Sequence, residues 1–234
     1  MGSGVGNITT NIIKDGLVFN MDAANRASTI PSSATTKIFN TVDTSISGSF
    51  INDIFYDSST ISPSLSFDGA ADYITLPDIT INNTSFAFSM WIKPIGSISL
   101  DMLITRQSST GGRNGTLGLQ SVSGTYCALL SYSHNSSTVK VQSNNLTKSS
   151  MLDVWSHVVL VRNGLTSTFY LNGTDIGGGT FGSSQPSTID IDKIGYGFNN
   201  WYYEGKVANT QIYNHALSAN EVLHNYNALK GRFE

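Results

Sequence analysis

Phe86-Ala87-Phe88-Ser89-Met90-Trp91-Ile92 is the stretch that decides the fold. Read with a period of two, it puts Phe86, Phe88, Met90 and Ile92 on one face of an extended strand. Upstream, Ser64-Leu65-Ser66-Phe67-Asp68-Gly69 alternates and stops at a turn pair, and Tyr73-Ile74-Thr75-Leu76-Pro77 follows it. Downstream, Trp155-Ser156-His157-Val158-Val159-Leu160-Val161 is apolar on both faces, the pattern of a central strand. Thr168-Phe169-Tyr170-Leu171 then runs into Asn172-Gly173 and leaves through Thr174-Asp175-Ile176. Both turn residues tolerate positive φ, so this segment is a tight hairpin.

Toward the ends the signals are sparser. Leu17 to Asp22 is a first strand, and residues 23–62, dense in Ser and Thr, are loops with one or two short strands. Residues 1–14, Gly-rich and then polar, are expected to form an extended arm that leaves the domain and contacts a neighbour. One helix is evident. Ser218-Ala219-Asn220-Glu221 is a capping box, and Val222, Leu223, Tyr226 and Leu229 give the apolar stripe behind it. With no linker or repeat, the chain is read as one almost all-β domain over residues 15–234. Trp91, Trp155 and Tyr170, in its most apolar strands, are expected to be buried.

Composition narrows the partners. The net charge is −3, only 12% of residues are charged, and the 13 basic residues are scattered, which argues against nucleic acid. Ser, Thr and Asn fill roughly a third of the chain and give a neutral, hydrogen-bonding surface. Cys127 is the only cysteine, so no intrachain disulfide forms, and its apolar neighbourhood reads as an inert core thiol. The start, Met1-Gly2-Ser3-Gly4-Val5-Gly6, lacks the basic and apolar regions of a secretory signal. No apolar run approaches the length of a membrane span. The expectation is a soluble product made in the cytoplasm.

The ordered set of motifs resembles the laminin-G-like, concanavalin-A-like lectin and glucanase domains. The resemblance is carried by Ser66-Phe67-Asp68-Gly69 with Asp72-Tyr73-Ile74, by Phe86 through Pro94, and by Trp155-Ser156-His157-Val158 with Tyr170-Leu171-Asn172-Gly173. Gly205-Lys206-Val207, Ile212-Tyr213-Asn214 and Ala216-Leu217-Ser218 complete it, so that it spans about residues 16–233. It implies an all-β, two-sheet antiparallel jelly-roll sandwich with one short C-terminal helix. Residues 16–25 (GLVFNMDAAN) and 225–233 (NYNALKGRF) are similar to stand-alone members carried by tailed, especially marine, bacteriophages. That likeness implies a non-catalytic structural or adhesion protein of the virion, on capsid surface or tail, contacting other virion proteins or copies of itself. A free carbohydrate-binding lectin module is the alternative.

The family contains glycoside hydrolases, whose chemistry needs two carboxylates at a set separation. The family's Glu-x-Asp-x-(x)-Glu run is missing here. Glu221 serves the helix cap, Glu234 is terminal, and Glu204 has no acidic neighbour within five residues. Asp190 and Asp192 are the best remaining pair, without a Glu beside them. No catalytic residue is assigned, and the expectation is no enzyme. His157 reads as structural, and His134, His215 and His224 lack metal-ligand spacing. Some family members bind calcium, and Asp22, Asp68 and Asp72 are the candidate ligands, although Asp68-Gly69 and Ala71-Asp72 also look like plain turns. For host glycans, Asn199, Asn200 and Trp201 are the candidates, because a sugar wants an aromatic face flanked by amides.

Overall fold

The alternation of the 86–92 segment is realised as a strand whose two faces meet different surroundings. The computed structural model describes residues 11–29, 36–58, 62–106, 117–132, 140–182, 186–197 and 200–234. Among these, two antiparallel sheets pack face to face. The first runs β15 (Thr174–Thr180), β14 (Thr166–Leu171), β13 (Ser156–Asn163), β7 (Ser85–Pro94), β19 (Glu204–Tyr213), β5 (Ser64–Asp68) and β4 (Phe55–Asp57). β1 (Leu17–Asp22) joins it on the C-terminal half of β19, with Asn20 opposite Gln211 and Asp22 opposite Asn209. The second runs β11 (Lys140–Gln142), β10 (Tyr126–Tyr132), β9 (Leu117–Ser121), β8 (Leu100–Thr105), β16 (Thr188–Ile194), β6 (Tyr73–Asn82), β3 (Ser47–Ile51) and β2 (Lys37–Phe39). β12 (Leu146–Thr147) pairs with β10, and β17 (Tyr196–Gly197) with β18 (Trp201–Tyr202) forms a small ribbon.

Phe86, Phe88, Met90 and Ile92 all point between the sheets, where they join Phe19, Met21, Val158, Leu160 and Ile212 from the first sheet. Ile74, Ile104, Leu119, Leu129 and Ile191 face them from the second. Arg162 is buried in this interior: its Nε donates to Ser167 Oγ at 2.8 Å, and its guanidinium lies 4.4 Å from the Phe181 ring centre. Burial pulls its pKa down to about 10, while the aromatic face offsets part of the lost hydration. Cys127, on β10, is buried as expected, with its thiol pKa pushed up by burial.

The outer face of the first sheet is covered by the C-terminal helix α1 (Ala219–Leu229). Its capping box is formed: Glu221 N–H donates to Ser218 Oγ, and Ser218 N–H donates to the Glu221 carboxylate at 2.8 Å. The hairpin turn also forms as read, with φ of 51° at Asn172 and 79° at Gly173. A Cβ at Gly173 would stand 2.9 Å from Leu223 Cδ1, so glycine is needed there for the helix as well as for the turn.

The structure corrects several expectations. Trp91 and Tyr170 are buried, but under the helix and chain end rather than between the sheets: Trp91 stacks on Phe233 at 4.0 Å, and Tyr170 packs with Val222 and Leu217. Trp155 precedes β13 instead of lying in it and is only half-buried, resting on Phe233 at 5.0 Å. Leu223 of the expected apolar stripe is 44% exposed, and Asn225 takes an inward position, donating to Tyr213 Oη and accepting from Ile13 N–H. The segment 23–62 holds β2, β3 and β4, one more strand than expected. Of the arm over 1–14, the described residues 11–13 lie against their own domain: Ile13 C=O accepts from Tyr213 Oη, and Asn11 C=O contacts His224 Nε2 at 2.8 Å. Residues 1–10 lie outside the described residues.

Candidate functional site

At one rim of the sandwich a pocket of about 170 Å³ opens where β8, the start of β19 and the β17–β18 ribbon converge. Asn200, Trp201, Tyr202, Asp101, Glu204 and Ser99 line it. The ribbon is anchored by a tyrosine cluster, with Tyr196 4.9 Å from Tyr73 and 4.8 Å from Tyr202 between ring centres. Tyr203, the next residue, is fully buried in the core, so the chain alternates from pocket wall to interior across three positions. Trp201 is half-buried and lies parallel to Tyr132 at 6.3 Å. Asn200, at φ 59°, is exposed on the turn. Of the three glycan candidates, Asn200 and Trp201 therefore meet in one pocket, and Asn199 lies outside the described residues.

Two carboxylates that sequence reasoning left apart complete the pocket. Asp101 is the only charged residue in β8, whose other members are apolar up to Thr105, and it is just 5% exposed. Burial drives its pKa up to about 7; the Ser99 backbone N–H opposes the rise and the charge of Glu204 adds to it. Glu204, opposite Asp68 in the sheet, aims its carboxylate over Gly96. Any Cβ at Gly96 would collide with that carboxylate, and the φ of +71° there suits glycine as well. The expectation that Glu204 lacks an acidic partner holds along the chain but not in space. The signal that could have found Asp101 was a lone carboxylate inside an apolar strand.

Below pH 7 the Asp101 carboxyl is largely protonated and can both donate and accept, while Glu204 accepts. With an amide and an indole beside them, the set matches the mixed donor, acceptor and ring face that a sugar presents.

The other candidate residues have different places. Asp190 pairs with Arg106 at 2.8 Å and accepts from Thr80 Oγ1, and Asp192 pairs with Lys193 at 2.9 Å. His157 is fully buried, its Nε2 2.9 Å from Ser89 Oγ, and burial lowers its pKa to about 3, so it stays neutral. Asp22 accepts two bonds from Arg232, at 2.7 and 2.9 Å. Asp68 accepts backbone N–H bonds from Ala70, Ala71 and Asp72; burial alone would raise its pKa, but those bonds bring it below the ordinary value. The three do not fit a shared calcium site: Asp22 is committed to an arginine and Asp68 to its own turn. Among the described residues, no three His, Cys, Asp or Glu side chains are grouped to hold a metal.

A sandwich of this order with a rim pocket defines a lectin-type jelly roll. The chain belongs to the concanavalin A-like lectin/glucanases superfamily, whose model matches residues 68–223. No curated protein matches the sequence. Among solved structures it is similar to the binding domain of a Paraclostridial mosquitocidal protein, at 16% identity and a TM-score of 0.66. That match covers 91% of this chain, which spans only 52% of the mosquitocidal chain. It is similar to domain 4 of an extracellular arabinanase from Geobacillus stearothermophilus, solved with arabinotriose, at 17% identity and a TM-score of 0.64, covering 90% of this chain and 98% of that one. A Trypanosoma rangeli sialidase matches at 14% identity and a TM-score of 0.65, over 92% of this chain and 33% of the sialidase.

Proposed function

We propose that this chain is a non-catalytic glycan-binding adhesion module, and that the rim pocket is its sugar site. The carrying observation is the meeting of Trp201 and Asn200 with Asp101 and Glu204 in one pocket. The arabinanase domain, solved with arabinotriose, supports the reading as an example of the fold holding an oligosaccharide. A wild-type hit on a glycan array, titrated by calorimetry, is expected to weaken at least about tenfold in Trp201→Ala, equivalent to ~1.4 kcal/mol, with the melting temperature little changed. Equal binding by the variant, or no glycan bound at all, overturns the assignment.

Hydrolysis is the competing use of two carboxylates. Against it, Asp101 and Glu204 come from different sheets and do not form the family's run on one strand. No reducing ends are expected from β-glucan, agar or alginate; release that disappears in Glu204→Gln would overturn the non-catalytic reading. The module is further assigned to a bacteriophage virion, on the likeness of residues 16–25 and 225–233 to phage-borne relatives. Mass spectrometry of purified particles tests that placement against a free lectin.

A further inference from the structure

We propose a second ligand site, for a neutral polyhydroxylated ligand of mono- to disaccharide size, on the outer face of the first sheet beside the C-terminal segment. Two hollows of about 300 and 400 Å³ adjoin there and share Asn11, Ile12, Asn20 and Asn25. Asn209 and Gln211 of β19 line the smaller one, and they are only 2% and 0% exposed.

Each of these amides is tied at one end and open at the other. Asn209 Nδ2 donates to Met21 C=O at 2.9 Å and to Asn20 Oδ1 at 3.3 Å, while its Oδ1 has no partner. Gln211 Oε1 accepts from Tyr213 Oη at 3.1 Å, while its Nε2 has no partner. Met21 C=O can only accept, so the open end of Asn209 is an acceptor, and with Tyr213 Oη donating to Gln211 the open end of Gln211 is a donor. They stand two residues apart on one strand face, roughly 6.6 Å along it. Buried donors and acceptors are nearly always satisfied, so open ones lining a hollow point to a ligand that supplies the missing bonds.

Charge decides the ligand class. Lys14 lines only the larger hollow, and in the smaller one Asp22 and Arg232 neutralise each other through two hydrogen bonds. A carboxylate or phosphate would meet both Asp22 and the carbonyl of Asn209, whereas hydroxyls can donate to one amide and accept from the other. Ile12 and Leu229 supply apolar wall for the C–H face of a sugar ring. This site lies toward the other end of β19 from Glu204 and stands whether or not the rim pocket binds glycans.

The test is a nitrogen-15 NMR titration with methyl hexopyranosides, following the side-chain amides of Asn20, Asn209 and Gln211. The expected result is saturable shifts in these signals. They should persist in Trp201→Ala and weaken at least about tenfold in Asn25→Trp, which fills the mouth from an exposed position. Gln211→Glu, which replaces the open donor by an acceptor, is expected to lose as much. Amides that no hexopyranoside moves, or shifts undiminished in Asn25→Trp, overturn the proposal. Shifts lost in Trp201→Ala also overturn it and leave the rim pocket as the sole sugar site.

Discussion

The two faces of the first sheet are made by the same strands and have almost nothing else in common. On the inner face, Phe88 and Met90 of β7, Leu160 of β13 and Ile212 of β19 meet an apolar second sheet, with Arg162 the buried exception. On the outer face, Ser89, Trp91, His157, Asn209 and Gln211, all buried, stand beside an apolar patch of Ala87, Val159, Val161 and Tyr213 under the helix. The inner face is stabilised by removing apolar area from water, and the outer by a polar and aromatic mosaic closed over by the chain ends. Apolar packing tolerates no gap, whereas the mosaic leaves donors and acceptors open to a ligand. One strand period of two residues thus separates stability from recognition.

Breaking the inner face should have the largest effect. Phe88→Ala is expected to cost about 3–5 kcal/mol in urea unfolding, by lost burial and the cavity left behind. A loss near 1 kcal/mol would mean that the interior is less tightly packed than the outer face.

A second test sharpens the contrast through a buried acid in the other sheet. Asp101 has its folded pKa raised from 3.8 to about 7, so the folded state holds that proton more firmly than the unfolded chain. Stability associated with it is present below pH 4 and lost as pH rises toward 7. Asp101→Asn should therefore match the wild type at acid pH and exceed it by up to about 4 kcal/mol above pH 7, at about 1.36 kcal/mol per pKa unit. A variant gaining nothing above pH 7 contradicts the burial of this carboxyl.

The outer face should titrate in the opposite sense and by less at moderate pH. His157 has its pKa lowered from 6.5 to about 3 by burial, so the unfolded chain takes up a proton that the folded one refuses. Its contribution is complete above pH 6.5 and falls away as pH drops toward 3. At pH 5 its share of the loss should be about 2 kcal/mol, visible in Asp101→Asn, where the opposing carboxyl is gone, and His157→Gln in that background should flatten the limb. An Asp101→Asn profile that is flat between pH 6.5 and 5 would place the imidazole in contact with solvent.

The same contrast explains what the sequence made legible. The inner face of β7, the Asn172-Gly173 turn and the Ser218–Glu221 box are local patterns, each contained within a few residues, and all three form. The placements that failed depend on distant segments. Trp155 is oriented by Phe233 at the far end of the chain, and the inward turn of Asn225 is stabilised by Tyr213 and Ile13. A count of apolar positions favours Leu223 because it cannot see an amide satisfied from two other strands of chain. At the candidate site, Trp201 and Asn200 were visible as a loop mixture, whereas Asp101 reaches Glu204 only because the two sheets close on each other.

The pairing of β1 with β19 has a mechanical consequence. Leu17 lies opposite Tyr213 and Asp22 opposite Asn209, while Glu204 and the rim pocket lie beyond Asn209 at the other end of β19. A tether pulling through residue 11 and a load held at the rim pocket would draw the two strands along their axes in opposite directions. In that geometry the bonds between the five register pairs are sheared together rather than unzipped one after another. A module held this way resists detachment with the strength of the whole ladder, and only tension applied between its two chain ends would peel it open pair by pair.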